Sequence, residues 1–273
     1  MKPIRVIAGL PNSLLGRGMN STTPYPRMRE HMTSTSKNAR VAGFLYLLLI
    51  VAAPLRLIYI PSTLFVSGNA TATANNIAAH EMLFRLGIAA DLFSGAIGFF
   101  LALALYRLLK GVNPMQAVLM VLLGVMPDVI YYVNVLNDFA ALILVRGADF
   151  LSVFEKPQRD ALAMLFLRMH GQEIVAAEIF WGLWLFPLAR LVYRSNFLPR
   201  FLGVWLVING LAYLALSCTG LLMPQYEDAV SSIAFPCQLG EVALMLWLLL
   251  IGAKAPLAAG HVSPSVIVGA DRS

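Results

Sequence analysis

The sequence predicts an all-α integral membrane protein, a six-helix transmembrane bundle built in part from a repeated helical hairpin. Three observations predict it. Of 273 residues, 59% are apolar and only 12% are charged, about half the charged share of a soluble domain, and the mean hydropathy is +0.75. Long apolar runs follow one another from Val41 to Ala253, as lipid-facing helices do. The basic residues collect in the N-terminal arm and in the short turns between the runs.

Residues 1–38 are polar, rich in Pro, Ser, Thr and Asn, and carry Lys2, Arg5, Arg17, Arg27, Arg29 and Lys37. They read as a disordered basic arm. No apolar core precedes a small-residue cleavage site, so the arm is not a signal peptide. Met32 opens a stretch that would itself serve as a start, and residues 1–31 read as an extension ahead of it. The transmembrane domain spans 39–254, and 255–273 form a disordered tail.

The apolar runs place the spans at 41–60, 82–109, 115–145, 161–193, 201–223 and 233–253. A bilayer core needs about 20 helical residues, so the third and fourth runs must tilt, kink or protrude. Pro127 and Pro187 are the expected kink sites, because proline removes a backbone donor. Arg107 and Lys110, then Arg190, Arg194 and Arg200, then Lys254 lie in alternate connections, on the side of the basic arm. On the other side the 61–80 loop has no Lys or Arg, the 224–232 turn carries Glu227 and Asp228, and the 146–160 loop is mixed. The positive-inside rule then puts both termini in the cytoplasm. The net charge of +6 is explained by that placement, and nucleic acid is not implied as a partner. Cys218 and Cys237 lack a metal-like spacing. They lie at comparable depth on the hairpin of spans 5 and 6, where two small buried thiols are preferred to a disulfide.

An internal repeat displaced by 87 positions joins spans 2 and 4. Ile88-Ala89-Ala90-Asp91-Leu92-Phe93-Ser94-Gly95 matches Val175-Ala176-Ala177-Glu178-Ile179-Phe180-Trp181-Gly182, and Tyr106-Arg107 matches Tyr193-Arg194. Spans 2–3 and 4–5 are then hairpins of the same polarity, as in parallel-repeat transporters. Gly240-Glu241 in span 6 suggests the beginning of a third copy.

Each copy sets one acid inside a span, Asp91 or Glu178, and span 6 adds Glu241. Asp91 and Glu178 each lie sixteen residues before a basic-end arginine, roughly 24 Å along a helix, and Glu241 lies thirteen before Lys254, roughly 20 Å, so the three acids sit at similar depth. Asp128, Asn134 and Asp138 in span 3 join them, with His170, Gln172 and Glu173 in span 4. Arg56, Arg85 and Arg168 are the candidate cations. A charge near the bilayer centre costs about 2.5–3.5 kcal/mol even on the lenient scale, so these groups must face one another or a water-filled cavity. In span 4 the polar residues surround most of the helix, which predicts a place at the centre of the bundle. His170 and Glu173, one turn apart, are a weak metal pair that Glu241 or Asp91 would have to complete, and no metal is assigned. If Asp91, Glu178 and Glu241 converge, three like charges in low dielectric cannot all ionise.

Several stretches carry a family resemblance: Leu83-Phe84-Arg85-Leu86-Gly87-Ile88-Ala89-Ala90-Asp91, Tyr193-Arg194-Ser195-Asn196-Phe197-Leu198-Pro199-Arg200-Phe201-Leu202-Gly203, Gly240-Glu241 and Leu246-Trp247-Leu248-Leu249. Over about residues 38–253 the chain resembles the bacterial multi-pass membrane family catalogued as domain of unknown function 4386. The resemblance implies the bacterial cytoplasmic (inner) membrane and supplies no activity, cofactor or catalytic residue.

The leading functional reading is binding or transport of a small solute or proton through the intramembrane cluster Arg85, Asp91, Asp128, Arg168, His170, Glu173, Glu178 and Glu241. An intramembrane enzyme, metal-dependent or with His170 or an acid as general base, stays open. So does a non-catalytic partner protein whose charged network only locks the bundle. The partners expected are the lipid bilayer and, on the leading reading, a small solute or proton.

Overall fold

The computed structural model describes the backbone of residues 25–253 and the side chains of residues 35–253. The readings placed on residues 1–24 and on the tail from residue 254 lie outside the described residues. Among the described residues six helices are long and apolar enough to cross a membrane: Thr35–Leu64, Glu81–Leu109, Pro114–Arg146, Lys156–Arg194, Arg200–Leu222 and Pro224–Ile251. They are spans 1 to 6. The helix of span 1 begins at Tyr25, so the expected arm is helical from that residue on.

Local sequence explains where the spans begin and end. Asn113 accepts a hydrogen bond from the Gln116 backbone N–H at 3.0 Å ahead of Pro114, an N-cap followed by a first-turn proline. Gly147 closes span 3 in the left-handed region at φ +69°. Glu155 and Gln158 form a reciprocal capping box at the start of span 4. The Ser195-to-Pro199 motif is the turn between spans 4 and 5. There the Ser195 hydroxyl donates to the Val192 carbonyl at 2.8 Å and accepts from the Leu198 N–H at 3.2 Å, and Leu198 is buried.

Spans 3 and 4 each run as one helix through Pro127 and Pro187. Span 6 ends in a π-helical turn, Trp247–Ile251, and span 1 holds another within its length, where Pro54 is followed by the π-helical turn Leu55–Tyr59, closed by the Ile60 N–H on the Leu55 carbonyl. A π turn inserts a residue and re-aims the side chains around it, and here it holds Arg56, which is buried.

The spans pack in chain order around a ring, each against the next, and span 6 returns to span 1. Span 4 is more buried than the others, but as a ring member between spans 3 and 5 rather than a central helix. Spans 3 and 4 are 33 and 39 residues long, about 50 and 58 Å. A short loop helix, Ala70–Ala79, packs chiefly on span 4 and also on spans 2 and 3. Its N-cap is Asn69, whose side chain accepts from the Ala72 N–H.

Two large apolar clusters stack along the bundle. One fills the end that carries Arg107, Lys110, Arg194 and Arg200, here the basic end, with Tyr46, Leu105, Met120, Leu188, Leu206 and Leu248 from all six spans. The other fills the opposite, loop end with Ile60, Ile77, Phe84, Val135, Leu142 and Leu167, from spans 1 to 4 and the loop helix. Spans 5 and 6 share only a small cluster there, Ala212, Leu216 and Ala234. Span 6 therefore meets span 1 closely only near the basic end, where a Cβ built on Gly43 would sit 2.5 Å from the Leu249 backbone nitrogen. Gly43→Ala is expected to lower stability by about 1–2 kcal/mol through this overpacking. Gly111→Ala, with nothing within 4 Å of its built Cβ, is the control. Thermal unfolding in detergent checks it, and equal melting of the two variants would contradict the close approach.

Candidate functional site

The polar groups lie between the two apolar clusters and fall into three stations. The first is centred on Arg56. Its Nε donates to Asp91 Oδ2 at 2.6 Å and its Nη2 to Asp138 Oδ2 at 2.6 Å. His170 Nε2 is 2.7 Å from the same Nη2, and His170 Nδ1 is 3.3 Å from Asp138 Oδ2. The tautomer that satisfies both contacts carries its proton on Nδ1, donated to Asp138, and accepts from Arg56 on Nε2. Asn134 donates to the His170 carbonyl at 3.0 Å, and Asn137 donates to Asn134 Oδ1 at 3.1 Å. Four spans thus meet on one guanidinium.

Span 2 is shaped for this. Gly87, Asp91, Gly95 and Gly98 recur at helical spacing along one face. A Cβ on Gly87 would meet Ile60 at 2.8 Å and the Arg56 stem at 3.6 Å. The missing side chain is what lets the π turn of span 1 approach Asp91. Gly95 faces Tyr132 and the Asp128 carbonyl in the same way.

Asp128 is the second station. It sits against Gly98, where a Cβ would collide with its carboxylate. Asp128 is 9% exposed, and its enclosed Oδ2 has no hydrogen-bond partner. No ion pair reaches it among the described residues. Nor is a spare cation near: among the described residues Arg56 is the only buried lysine or arginine, against four buried aspartates.

Glu241 is the third station, and it is fully engaged. The Tyr46 hydroxyl donates to its Oε1, Asn209 donates to Oε2 at 3.3 Å, and Tyr213 shares a side-chain hydrogen bond with it.

A cavity of about 340 Å³ joins the three stations. All six spans contribute to its wall, which is mostly aliphatic and aromatic. Trp181 stacks on Tyr131 with centroids 6.1 Å apart and meets Tyr213 edge-on at 5.6 Å, and Trp184 packs against Tyr46 at 6.2 Å. The wall reaches the lipid-facing surface at Leu57, Phe235 and Leu239, which are 41%, 65% and 40% exposed. That opening lies toward the loop end between spans 1 and 6, where they share no cluster.

The residues singled out in the sequence are divided by the fold. Asp91 and His170 meet at Arg56. Asp91, Asp128 and Glu241 line the one cavity. Glu178 is half-buried, outside the cavity wall, and makes no hydrogen bond or ion pair among the described residues. Glu173 is half-buried with one enclosed, unpartnered oxygen. Arg85 pairs with Glu81 one turn away at 2.7 Å on the exposed side of span 2, and Arg146 reaches the same acid at 3.5 Å. Arg168 is exposed. The expected crowd of three acids is thus broken up, one held by an arginine and one by hydroxyls and an amide. The Tyr131–Trp181–Tyr213 wall was missed, because aromatic residues in an apolar run carry no sign of which face they take. The glycine face of span 2 was legible as a four-, four-, three-residue spacing. The two cysteines are free, Cys218 exposed and Cys237 half-buried.

Ligand atoms of Asp91, Asp138 and His170 lie within 4.8 Å of one another, a spacing a metal ion could use. The Arg56 guanidinium already bonds all three groups from their midst and stands where that cation would be. The arrangement suits a charge lock better than a metal centre.

Among protein families, the one described as Domain of unknown function (DUF4386) matches residues 41–252. No curated protein and no solved structure matches the chain.

Proposed function

Since the chain belongs to the DUF4386 family, whose name assigns no activity, we propose from its own site that this multi-pass membrane protein binds a small solute in the cavity among its six spans. Carriage of that solute or of a proton across the membrane is the activity the site fits best. The observation that carries this reading is Asp128, a buried carboxylate on the cavity wall with no partner. An uncompensated acid in low dielectric is costly, and a group kept for stability alone would be paired. The charge deficit of the polar layer must be met by protons or by a cationic guest. The Arg56 station has the opposite character: its donors are committed, so it supports a role as the lock of the bundle.

Two measurements test the reading. In a background with Cys218 and Cys237 replaced by serine, Ser94→Cys on the cavity wall should react with a small thiosulfonate reagent in proteoliposomes. A cysteine that never reacts contradicts a solute-accessible cavity. Asp128→Asn should melt at or above the wild-type temperature, because it removes a buried unpaired charge. Asp91→Asn should melt well below it. Equal losses would make Asp128 structural and remove the main support for binding.

We propose that the protein lies in the bacterial cytoplasmic membrane, as the family resemblance implies, with both termini cytoplasmic, a reading supported by the basic turns at one end of the bundle. Single cysteines at Asn69 and in the C-terminal tail should label from opposite sides of intact cells. Labelling from one side refutes the orientation.

A further inference from the structure

We propose that the guest is a monovalent organic cation with an apolar or aromatic body, a protonated amine or quaternary ammonium, that reaches Asp128 from the lipid through the opening between spans 1 and 6. The proposal rests on the solute-binding reading and names the ligand class of the same cavity.

The wall presents one unanswered charge. Asp91 is held by Arg56 at 2.6 Å, and Glu241 by Tyr46 and Asn209. Asp128 alone has nothing to bind. An anion would meet that carboxylate with no free lysine or arginine in the wall, since Arg56 is committed to Asp91, Asp138 and His170. A hard metal cation needs about six oxygen ligands, and the wall beside Asp128 offers aromatic and aliphatic carbon instead.

That carbon surface suits an organic cation. Tyr131, Trp181 and Tyr213 form a continuous aromatic group across spans 3, 4 and 5. Indole and phenol faces attract alkylated ammonium groups by their quadrupole, more strongly where water is excluded. A carboxylate next to such faces is a pairing that a cation answers and a neutral solute does not. The volume of about 340 Å³ holds a guest of one ring and a few carbons. The opening selects the same chemistry: its rim, Leu57, Phe235 and Leu239, is apolar and exposed to lipid.

The test uses the full chain in lipid nanodiscs with three probes of nearly one shape. These are benzyltrimethylammonium, its uncharged carbon isostere neopentylbenzene, and the anion benzenesulfonate. Tryptophan fluorescence follows binding through Trp181 and Trp184, and thermal unfolding gives a second readout. The expected result is saturable binding of the cation with a raised melting temperature, weakened at least tenfold in Asp128→Asn. Neopentylbenzene should bind wild type and Asp128→Asn alike. If Asp128→Asn fails to fold, Trp181→Leu takes its place, and it should weaken the cation several-fold more than the isostere. The proposal is overturned if neopentylbenzene matches the cation on wild type, if benzenesulfonate is preferred, or if neither variant weakens the cation selectively. Binding of the isostere without the cation, with Ser94→Cys reactive, overturns the ligand class and leaves the solute-binding reading standing. No binding of any probe, with Ser94→Cys unreactive, overturns both.

Discussion

Arg56→Met should be the most damaging single substitution in the polar layer. It removes the group that bonds Asp91, Asp138 and His170 together and strands two carboxylates that are 2% and 1% exposed. Breaking a buried ion pair from one side typically costs about 3–5 kcal/mol, because the remaining charge stays desolvated and unpaired. Here two acids are stranded at once, so the upper end of that range is expected, with loss of the folded protein during extraction as the extreme outcome. The triple variant Arg56→Met, Asp91→Asn, Asp138→Asn removes the charges together and should recover most of the loss, since a buried charge network can often be replaced by neutral groups at little cost. Thermal unfolding of wild type, the single variant and the triple variant in detergent decides it. A single Arg56→Met variant that melts with wild type would show that the guanidinium does not hold the spans. A triple variant no better than the single would show that packing of the arginine stem against Gly87, rather than charge, is what matters.

Gly182→Val is expected to cost about 3 kcal/mol, by a different mechanism. A Cβ on Gly182 would lie 2.8 Å from the Gly210 carbonyl oxygen of span 5 and 2.8 Å from the Leu214 side chain. A carbonyl on a packed helix cannot turn aside as the end of a side chain can, so the two helices must separate. Helices in lipid associate through such small-residue contacts because there is no hydrophobic drive between them. Gly171 on the same span has nothing within 4 Å of its built Cβ. Gly171→Ala should therefore stabilise slightly, by about 0.5–1 kcal/mol, through helix propensity. The opposite signs of the two changes on one helix make the comparison decisive. Similar melting of Gly182→Val and Gly171→Ala would refute the close packing of spans 4 and 5.

Gly182 also bears on the internal repeat. It is the partner of Gly95 at the 87-residue displacement, and each glycine abuts the span that follows its own: Gly95 against Tyr132 of span 3, Gly182 against Gly210 of span 5. The acids one turn earlier diverge. Asp91 meets Arg56, while Glu178 has no counterpart of that arginine, because span 3, which precedes span 4 as span 1 precedes span 2, brings no buried cation. The two glycines keep the same place against the following span, while the acids one turn earlier do not keep the same chemistry.

The number of spans, their approximate limits and the basic character of one end follow from the sequence alone. Each is a local property: about 20 apolar residues must cross the bilayer, backbone groups must close their hydrogen bonds within the helix, and lysine and arginine gather in the turns. The caps at Asn113 and Glu155 and the stop at Gly147 are equally local. Which charge meets which is not local. Arg56, Arg85 and Arg168 look equivalent along the chain, yet one is buried among two aspartates and a histidine while the others face outward, because a π turn after Pro54 rotates Arg56 inward and Gly87 leaves room for it. Helical spacing tells which residues share a face, but not which face turns to the ring's centre when every face of a span is apolar enough for lipid. That choice is made by close packing between spans, at Gly43, Gly95 and Gly182, and the same packing leaves Asp128 alone on the wall of the cavity.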